Sequence, residues 1–227
     1  MAKLQRELAG KIAPYGESVA IAVTDLQSGE TIAVNGDTIF YPASAIKAIT
    51  LFSVLGDVED GLYPLADVEE DIVAMMAYSD NTANDVLIER TGFDRIDAVI
   101  ERAGLTSTLF CHGFDFLAYA CHTPNRMSAL DANRLWQSLY EGRILTGNYL
   151  ILALSYASLP EVRFIFAPDG FLVAHKPGYV DEYIADAGLV IGKEGGYAVS
   201  FFSAGADDAE ELAQELTEIV FDWFFGG

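Results

Sequence analysis

The strand-like segments of this chain lie only near its two ends, and this arrangement limits its possible folds more than any other feature. Near the N-terminus, β-branched residues flank the turn Gln27–Glu30 and predict a hairpin of Ser18–Asp25 with Thr31–Asn35. Near the C-terminus, β-branched and aromatic segments between Gly-rich turns predict three more strands, Phe171–His175, Ile184–Ile191 and Tyr197–Phe202. We therefore expect one five-stranded antiparallel sheet built from both ends of the chain.

Most of the remaining chain has the hydrophobic periodicity of helices. The predicted helices cover about 2–13, Ser44 to the residue before Gly56, Val68–Ala77, Thr82–Arg90, Phe93–Ala103, Ser128–Glu141, Asn148–Ser158 and Asp207–Phe224. Two segments are predicted loops, Asp57–Asp67 and Leu105–Pro124. The predicted fold class is an α/β (α+β) sandwich in which residues 1–35 and 171–227 form a sheet with flanking terminal helices. Residues 36–170 then form an inserted, all-helical subdomain within one overall domain.

The charge of the chain excludes several classes of partner. Its 227 residues include 34 acidic and 13 basic side chains, for a formal net charge of −21. Such a surface repels phosphate, so we expect neither nucleic acid nor an anionic membrane as a partner. No apolar run reaches the roughly 18–20 residues of a membrane span, and the N-terminus is typical of an amphipathic helix rather than a signal peptide. As written, the chain is expected to be cytoplasmic, or periplasmic or secreted if a leader has been removed.

A nucleophile and a base are predicted side by side at the start of the Ser44 helix. Ser44 and Lys47 are three residues apart and so share one helical face. A serine hydroxyl is a weak nucleophile until a base takes its proton, and a lysine kept neutral by burial and other cations can be that base. Alone, this S-x-x-K pattern is a weak signal, because it also occurs where a serine caps a helix and the lysine is solvated.

Two further polar clusters strengthen this interpretation. Ser79-Asp80-Asn81 interrupts the helical pattern, and His175-Lys176-Pro177-Gly178 follows a predicted strand. S-x-x-K, S-D-N and K-T-G are the motifs of class A β-lactamases and penicillin-binding proteins, and the chain resembles that family over nearly its whole length. The resemblance also includes Asn81–Asn84, Thr123–Pro124 and Asp186–Val190. Each cluster alone has an ordinary explanation, such as a helix cap or a charge at the end of a strand. Such explanations do not account for all three clusters occurring together in the order of the family.

The resemblance implies a fold of the β-lactamase type and a serine hydrolase. Ser44 would be the acylated nucleophile, with Lys47 assisting its deprotonation. Ser79 would relay a proton to the leaving nitrogen, and Asn81 would hydrogen-bond the amide side chain of the substrate. No cofactor and no metal ion are implied.

The third motif carries both a catalytic implication and a departure from the family pattern. Lys176 would lower the pKa of neighbouring groups and attract a substrate carboxylate. The backbone N–H groups of Ser44 and of Tyr179, just past Gly178, would form the oxyanion hole. Pro177, however, stands where the family carries Thr or Ser, which removes a hydroxyl and a backbone N–H. This change weakens the expectation that the site recognises a substrate carboxylate. It therefore also weakens the expectation of ordinary penicillin-like substrates.

Two other departures concern the walls of the cleft. The span from Ser44 to Ser79 is shorter than the family pattern, so one wall is expected to be trimmed. No Glu lies between Arg102 and Tyr140, the region where the family places its deacylating Glu. Asp115 is the nearest carboxylate, but its side chain is one methylene shorter, and capping the loop is the more ordinary role for such an Asp. Without a well-placed base, an acyl-enzyme could form and persist.

The same loop contains two Cys-His pairs, Cys111-His112 and Cys121-His122. Adjacent pairs seldom reach one tetrahedral ion together, and their spacing matches no zinc-finger pattern, so we do not predict a metal site. A disulfide between Cys111 and Cys121 would close the loop in an exported protein, whereas in the cytoplasm two free buried thiols are expected. His175 is expected to be a packed residue on a buried strand.

Three functions remain open at this point. The first is a serine hydrolase that forms an acyl-enzyme at Ser44 and hydrolyses a β-lactam or a related amide or ester, with slow deacylation. The second is a penicillin-binding protein that resembles a D-Ala-D-Ala peptidase and acts on a peptide. The third is a binding protein that has kept the fold and lost turnover. The sequence does not indicate an oligomeric state.

Overall fold

The computed structural model describes residues 1–226 and has a five-stranded antiparallel sheet at its centre. Its strands are β1 (Val19–Asp25), β2 (Thr31–Val34), β5 (Leu172–Val180), β6 (Tyr183–Gly192) and β7 (Gly195–Ala204). Their order across the sheet is β2-β1-β7-β6-β5, so the N-terminal hairpin pairs with the last strand of the chain. The predicted sheet, joined from both ends of the sequence, is confirmed.

Two strands of two residues each form a second, small sheet that the sequence pattern did not predict. These are β3 (Ile39–Phe40) and β4 (Met127–Ser128), paired antiparallel. Segments this short carry too few residues for a detectable period of two. Their pairing joins the segment before Ser44 to the end of the long loop.

Eight helices pack around the sheets in the described part of the chain. They are α1 (Ala2–Ile12), α2 (Lys47–Glu59), α3 (Glu69–Tyr78), α4 (Asn81–Thr91), α5 (Phe93–Ala103), α6 (Ala129–Tyr140), α7 (Gly147–Tyr156) and α8 (Ala209–Phe225). Short 3₁₀ turns cover Ala13–Ser18, Ala43–Ile46 and Leu65–Asp67. No helix among residues 1–226 is both long enough and apolar enough to cross a membrane.

The central sheet is buried on both faces because helices cover each of them. Along β1, Val19 and Ile21 pack in a core with Leu4 of α1 and Leu212 of α8. Ala20, which points the other way because side chains alternate along a strand, packs in a second core that contains α2. The terminal helices thus cover one face, and the helices between the two groups of strands cover the other. The division into subdomains at residues 36 and 171 stays a prediction.

Two predicted element ends differ from the structure for identifiable reasons. The predicted third strand ended at His175, but β5 continues through Pro177 to Val180. Since β5 is the edge strand, it tolerates a residue that cannot donate a hydrogen bond. The helix from Ser44 was predicted to end before Gly56, and residues from Asp57 onward were predicted to form a loop; instead α2 continues to Glu59.

Tertiary contacts explain the extension of α2. Asp57 is buried, and its carboxylate accepts hydrogen bonds from Tyr63 Oη at 3.0 Å and from Thr91 Oγ1 at 2.5 Å. Arg95 forms an ion pair with the same carboxylate. These partners hold the last turn of the helix in place despite the low helix propensity of Gly56.

Candidate active site

Ser44 lies in a strained turn at the start of α2. The turn Ala43–Ile46 is a 3₁₀ helix, and Ala43 has a φ of 45°, in the left-handed region that non-glycine residues seldom adopt. Strain of this kind costs of order 1–3 kcal/mol and is concentrated at functional sites. Ser44 itself is partly exposed, whereas the residues on either side of it are buried.

The edge strand β5 passes directly beside this turn. A Cβ atom added to Gly178 would lie 2.7 Å from the backbone nitrogen of Ser44 and 2.5 Å from that of Ala45. Both distances are too short for a real contact, so only glycine allows the strand this close. Gly178 and the next residue, Tyr179, therefore border the backbone of Ser44, and Tyr179 is 61% exposed.

Lys47, three residues after Ser44, is completely buried. Its ammonium donates hydrogen bonds to the carbonyl oxygen of Ser79 at 2.6 Å and to Oδ1 of Asn81 at 2.7 Å. A longer contact of 3.4 Å reaches the carbonyl oxygen of Asp80. The ring of Phe114 covers the ammonium, with its centroid 4.9 Å from Nζ. The first motif is thus tied to the second by its lysine.

Lys176 joins the third motif to the second. Its Nζ donates to Oγ of Ser79 at 3.0 Å and to the carbonyl oxygen of Pro177 at 3.2 Å. Ser79 ends α3 with a φ of 58°, a left-handed conformation that turns the chain toward α4. Asp80 then caps α4 by accepting a hydrogen bond from the backbone N–H of Ala83. The structure therefore brings Ser79 between the two lysines.

The burial of these lysines changes their acidity. Burial, together with the nearby charge of Lys176, lowers the pKa of Lys47 to about 7, although Asp80 and Asp85 act in the opposite direction. Burial also lowers the pKa of Lys176 to about 8, against the opposing effect of Asp186. Near pH 7 about half of the Lys47 amines are then free base, compared with roughly one in three thousand at the ordinary lysine value. Lys47 can accept a proton at neutral pH.

Asp115, the predicted deacylation base, lies at the surface. Its side chain is exposed, and its Oδ2 accepts a hydrogen bond of 2.5 Å from Oγ1 of Thr82, in the first turn of α4. Asn81, one residue earlier, is also exposed and uses its Oδ1 to accept the hydrogen bond from Lys47. The carboxylate of Asp115 is thus held by a side chain beside the second motif.

Asp85, to which the sequence pattern assigned no role, holds the long loop in place. Its carboxylate is fully buried and accepts hydrogen bonds of 2.8–2.9 Å from the backbone N–H groups of Phe114, Asp115 and Leu117. A Cβ on Gly113 would lie 2.0 Å from Oδ1 of Asp85, so the loop can wrap this carboxylate only with glycine there. The available signal was an acidic residue among the buried positions of α4, where an unpartnered charge is rare.

The two cysteines of the loop are bonded to each other. The disulfide joins Cys111 to Cys121 across a separation of 10 residues. The loop is therefore closed by a disulfide, and the two cysteines are not free thiols. His112 is held by the backbone: its Nε2 accepts from the N–H of Asn125 at 3.1 Å, and its Nδ1 lies 2.6 Å from the carbonyl oxygen of Gly113. Within residues 1–226 no group of three His, Cys, Asp or Glu side chains could hold a metal ion.

His175 is buried, as predicted, and it has a buried partner. Its Nδ1 lies 2.8 Å from Oδ1 of Asp186 on the neighbouring strand β6. The other oxygen of Asp186 accepts hydrogen bonds from the backbone N–H groups of Phe164 and Ile165. The pair therefore anchors the segment before β5 and fixes the strand that carries Lys176.

Three motifs thus meet around Ser44 within a sheet-and-helix fold, which is the arrangement of a β-lactamase-like protein. A sequence profile of the Beta-lactamase enzyme family matches residues 3–69 and 63–224. The chain belongs to this family. No curated protein matches the chain.

Solved structures share the fold along the full length of the chain. A β-lactamase from Sphaerobacter thermophilus has a TM-score of 0.85 and 20% identity, covering 100% of this chain and 98% of that one. PBP-A has a TM-score of 0.86 and 21% identity, covering 100% and 97%. An acyl-enzyme complex of a PBP-A mutant with penicillin G has a TM-score of 0.85 and 20% identity, covering 100% and 98%. At these identities the similarity establishes the fold.

Proposed function

We propose that this protein is a serine hydrolase that forms an acyl-enzyme at Ser44 with a β-lactam or a related amide or ester. The observation that carries the proposal is the position of Ser79 between two buried lysines. Its carbonyl oxygen accepts a hydrogen bond from Lys47, and its hydroxyl accepts one from Lys176, 97 residues away in the sequence. Burying two ammonium groups is unfavourable for folding. The burial of both Lys47 and Lys176 next to Ser79 therefore supports a chemical role for this site.

The proposed acylation step uses Ser44, Lys47, Ser79 and Lys176. Oγ of Ser44 attacks the carbonyl carbon of the substrate and gives its proton to the free amine of Lys47. The backbone N–H groups of Ser44 and Tyr179 stabilise the oxyanion; losing one such donor typically costs about 10²–10³ in rate. The leaving atom takes a proton from the hydroxyl of Ser79, which takes one in turn from the ammonium of Lys176. The acyl group remains on Ser44 as an ester.

Deacylation has weaker support, and this favours the penicillin-binding function as a second candidate. Hydrolysis of the ester requires a base that holds a water molecule near the acyl carbonyl. Asp115 is the proposed base, but its carboxylate is exposed and already accepts a hydrogen bond from Thr82. If Asp115 does not act, the acyl-enzyme persists, as expected of a penicillin-binding protein or of a binding protein without turnover.

The test is the intact mass of the protein after incubation with a β-lactam and, separately, with a chromogenic ester. We expect the mass of one acyl group, located on Ser44 by peptide mapping, and no adduct on Ser44→Ala. Ser158→Ala is the matched control, because Ser158 is an exposed serine on the surface. An adduct or turnover that persists in Ser44→Ala would refute the assignment of the nucleophile.

A further inference from the structure

The ring of Phe114 shields Lys47 from solvent. Lys47 is 0% exposed, and the centroid of the ring lies 4.9 Å from its Nζ. Phe114 is itself only half-buried, and Ser44, three residues before the lysine, is partly exposed. A half-buried ring in contact with a fully buried ammonium forms an apolar wall between that group and water. The long loop thus contributes one side of the lysine site.

The hydrogen-bond partners of Lys47 all favour its charged form. Its Nζ donates to the carbonyl oxygen of Ser79 at 2.6 Å, to Oδ1 of Asn81 at 2.7 Å and to the carbonyl oxygen of Asp80 at 3.4 Å. Acceptors of this kind stabilise an ammonium, and so does the face of an aromatic ring. The free amine that the proposed acylation step requires therefore depends on an opposing effect. Burial is the largest such effect, and the charge of Lys176 adds to it.

The loop holds Phe114 in place through its backbone. The N–H of Phe114 donates to Oδ1 of Asp85 at 2.8 Å, and the N–H of Leu117 donates to Oδ2 at 2.9 Å. The disulfide between Cys111 and Cys121 closes the same loop. A change of side chain at position 114 leaves these bonds available. The ring can therefore be replaced while its anchoring stays.

Resting on the proposed function, we propose that Phe114 is a positioning residue for acylation: its ring keeps water from Lys47 and so maintains the free amine that accepts the proton of Ser44. The apolar bulk of the ring has this effect, whereas its π face acts against it by attracting the ammonium. Removal of the bulk should hydrate Lys47 and favour the charged form. Removal of the π face alone should not.

The other charged groups that face Lys47 come from neighbouring elements. Lys176 on β5 favours the free amine, while Asp80, at the start of α4, and Asp85, within α4, favour the ammonium. Asp115, next to the ring in the loop, is exposed. No variant at position 114 removes any of these charges. A change in the protonation of Lys47 in such a variant would therefore come from the ring.

The experiment measures single-turnover acylation by a chromogenic ester between pH 5 and 10 in three variants. Phe114→Ala removes the ring, Phe114→Gln replaces it with a polar side chain, and Phe114→Leu keeps an apolar cover without a π face. In the Ala and Gln variants we expect the rising limb to move up by at least about one pH unit, so that acylation at pH 6 is at least about tenfold slower. In Phe114→Leu the limb should stay in place or move to lower pH.

Two controls separate this effect from a structural one. Phe116→Ala changes a phenylalanine of the same loop that is 49% exposed, and it should leave the limb in place. Hydrogen exchange at the backbone N–H groups of Asp115 and Leu117, which Asp85 accepts, should be unchanged in the variants at position 114. Faster exchange there would assign a shifted limb to opening of the loop and overturn the inference.

An NMR titration follows Lys47 without substrate. The protein is labelled with ¹³C-lysine, and the signal of Lys47 is assigned by its loss in Lys47→Met. The titration of this signal should move to higher pH in Phe114→Ala and Phe114→Gln, as the limb does. If the wild-type protein is not acylated at all, the proposed function fails, and this titration alone decides whether Phe114 keeps Lys47 uncharged.

The inference is overturned if neither Phe114→Ala nor Phe114→Gln shifts the limb and the titration of Lys47. It is equally overturned if Phe114→Leu shifts them as far as those two variants do, because the apolar bulk would then not be the cause. A shift in Phe114→Ala or Phe114→Gln that Phe114→Leu does not share supports it.

Discussion

The hydroxyl of Ser79 lies 3.0 Å from Nζ of Lys176, while the carbonyl oxygen of the same serine lies 2.6 Å from Nζ of Lys47. One residue in a left-handed turn therefore separates two ammonium groups that repel each other. Because the charge of Lys176 favours the neutral form of Lys47, the acidity of one lysine depends on the other. The protonation state of Lys47 in the first motif thus depends partly on a strand near the end of the chain.

Removing the charge of Lys176 should shift the pH dependence of acylation. The free amine of Lys47 and the ammonium of Lys176 are both required, so the acylation rate should rise as the pH passes about 7 and fall again above about 8. In Lys176→Met the positive neighbour is gone, the pKa of Lys47 rises, and the rising limb should move to higher pH. Lys193→Met, an exposed lysine in the β6–β7 turn, is the control and should leave the limb in place. Single-turnover acylation rates between pH 5 and 10 measure both, and an unshifted limb in Lys176→Met would contradict the coupling.

Replacing Lys47 should slow acylation strongly. General-base assistance is typically worth ~10²–10⁴-fold, and we expect a loss in that range for Lys47→Ala. Because alanine also leaves a cavity, Lys47→Met serves as the matched variant that keeps the apolar stem. Both should lose the rising limb near pH 7. An acylation rate unchanged from that of the wild-type protein would assign the base to another residue.

Deacylation should limit the reaction with β-lactams. We expect a burst of one equivalent of product and then slow or negligible turnover, because a misplacement of about 1 Å in a catalytic group can cost ~10²-fold. Asp115→Glu should speed the slow phase by extending the carboxylate, and Thr82→Val should change it by releasing the hydrogen bond to Asp115. Rapid-quench kinetics followed by mass spectrometry separate the two phases. Fast turnover without a burst, unaffected in Asp115→Ala, would refute both the slow step and the proposed base.

Loss of the Asp85 carboxylate should loosen the loop around Phe114. Asp85→Ala leaves three backbone N–H groups without their acceptor, at a cost of roughly 1–3 kcal/mol each if they stay buried. A total of about 3 kcal/mol would lower the Tm by roughly 6–12 °C in a chain of this size. Glu89→Ala, an exposed acid on the same helix, is the control. Hydrogen exchange at Phe114, Asp115 and Leu117 should accelerate in Asp85→Ala, and unchanged exchange would contradict the anchoring role.

The disulfide makes a simpler prediction. Under denaturing conditions without reductant, Cys111 and Cys121 should take up no alkylating reagent, and after reduction they should take up two equivalents. Since closing a loop of about 15 residues stabilises a protein by about 3 kcal/mol, the reduced protein should also melt at a lower temperature. Two equivalents of label on the unreduced protein would show that the cysteines are free.

The sequence predicted the sheet and the helices well because their periodicities are local. It could not predict that β5 continues through Pro177, since the edge position of a strand depends on which other strands pair with it. The same holds for α2, where Gly56 signals an end but contacts of Asp57 with distant residues sustain the helix.

The motif residues could be recognised because Ser44, Lys47 and Ser79-Asp80-Asn81 have fixed spacings within short segments. The residues that support them could not. Asp85 acts on backbone N–H groups about 30 positions away, which have no side-chain signature. Asp186 pairs with His175 across two strands, and only the sheet register places them together.

The fit of Gly178 against the backbone of Ser44 also constrains how this protein can diversify. Any side chain at position 178 would push the edge strand away from Ser44, the proposed nucleophile, so natural or laboratory selection for new substrates has no freedom there. Variation along this edge is confined to the flanking positions, where Pro177 and the exposed Tyr179 stand. A library randomised at 177 and 179 with 178 held as glycine would therefore sample the changes in specificity that the strand permits.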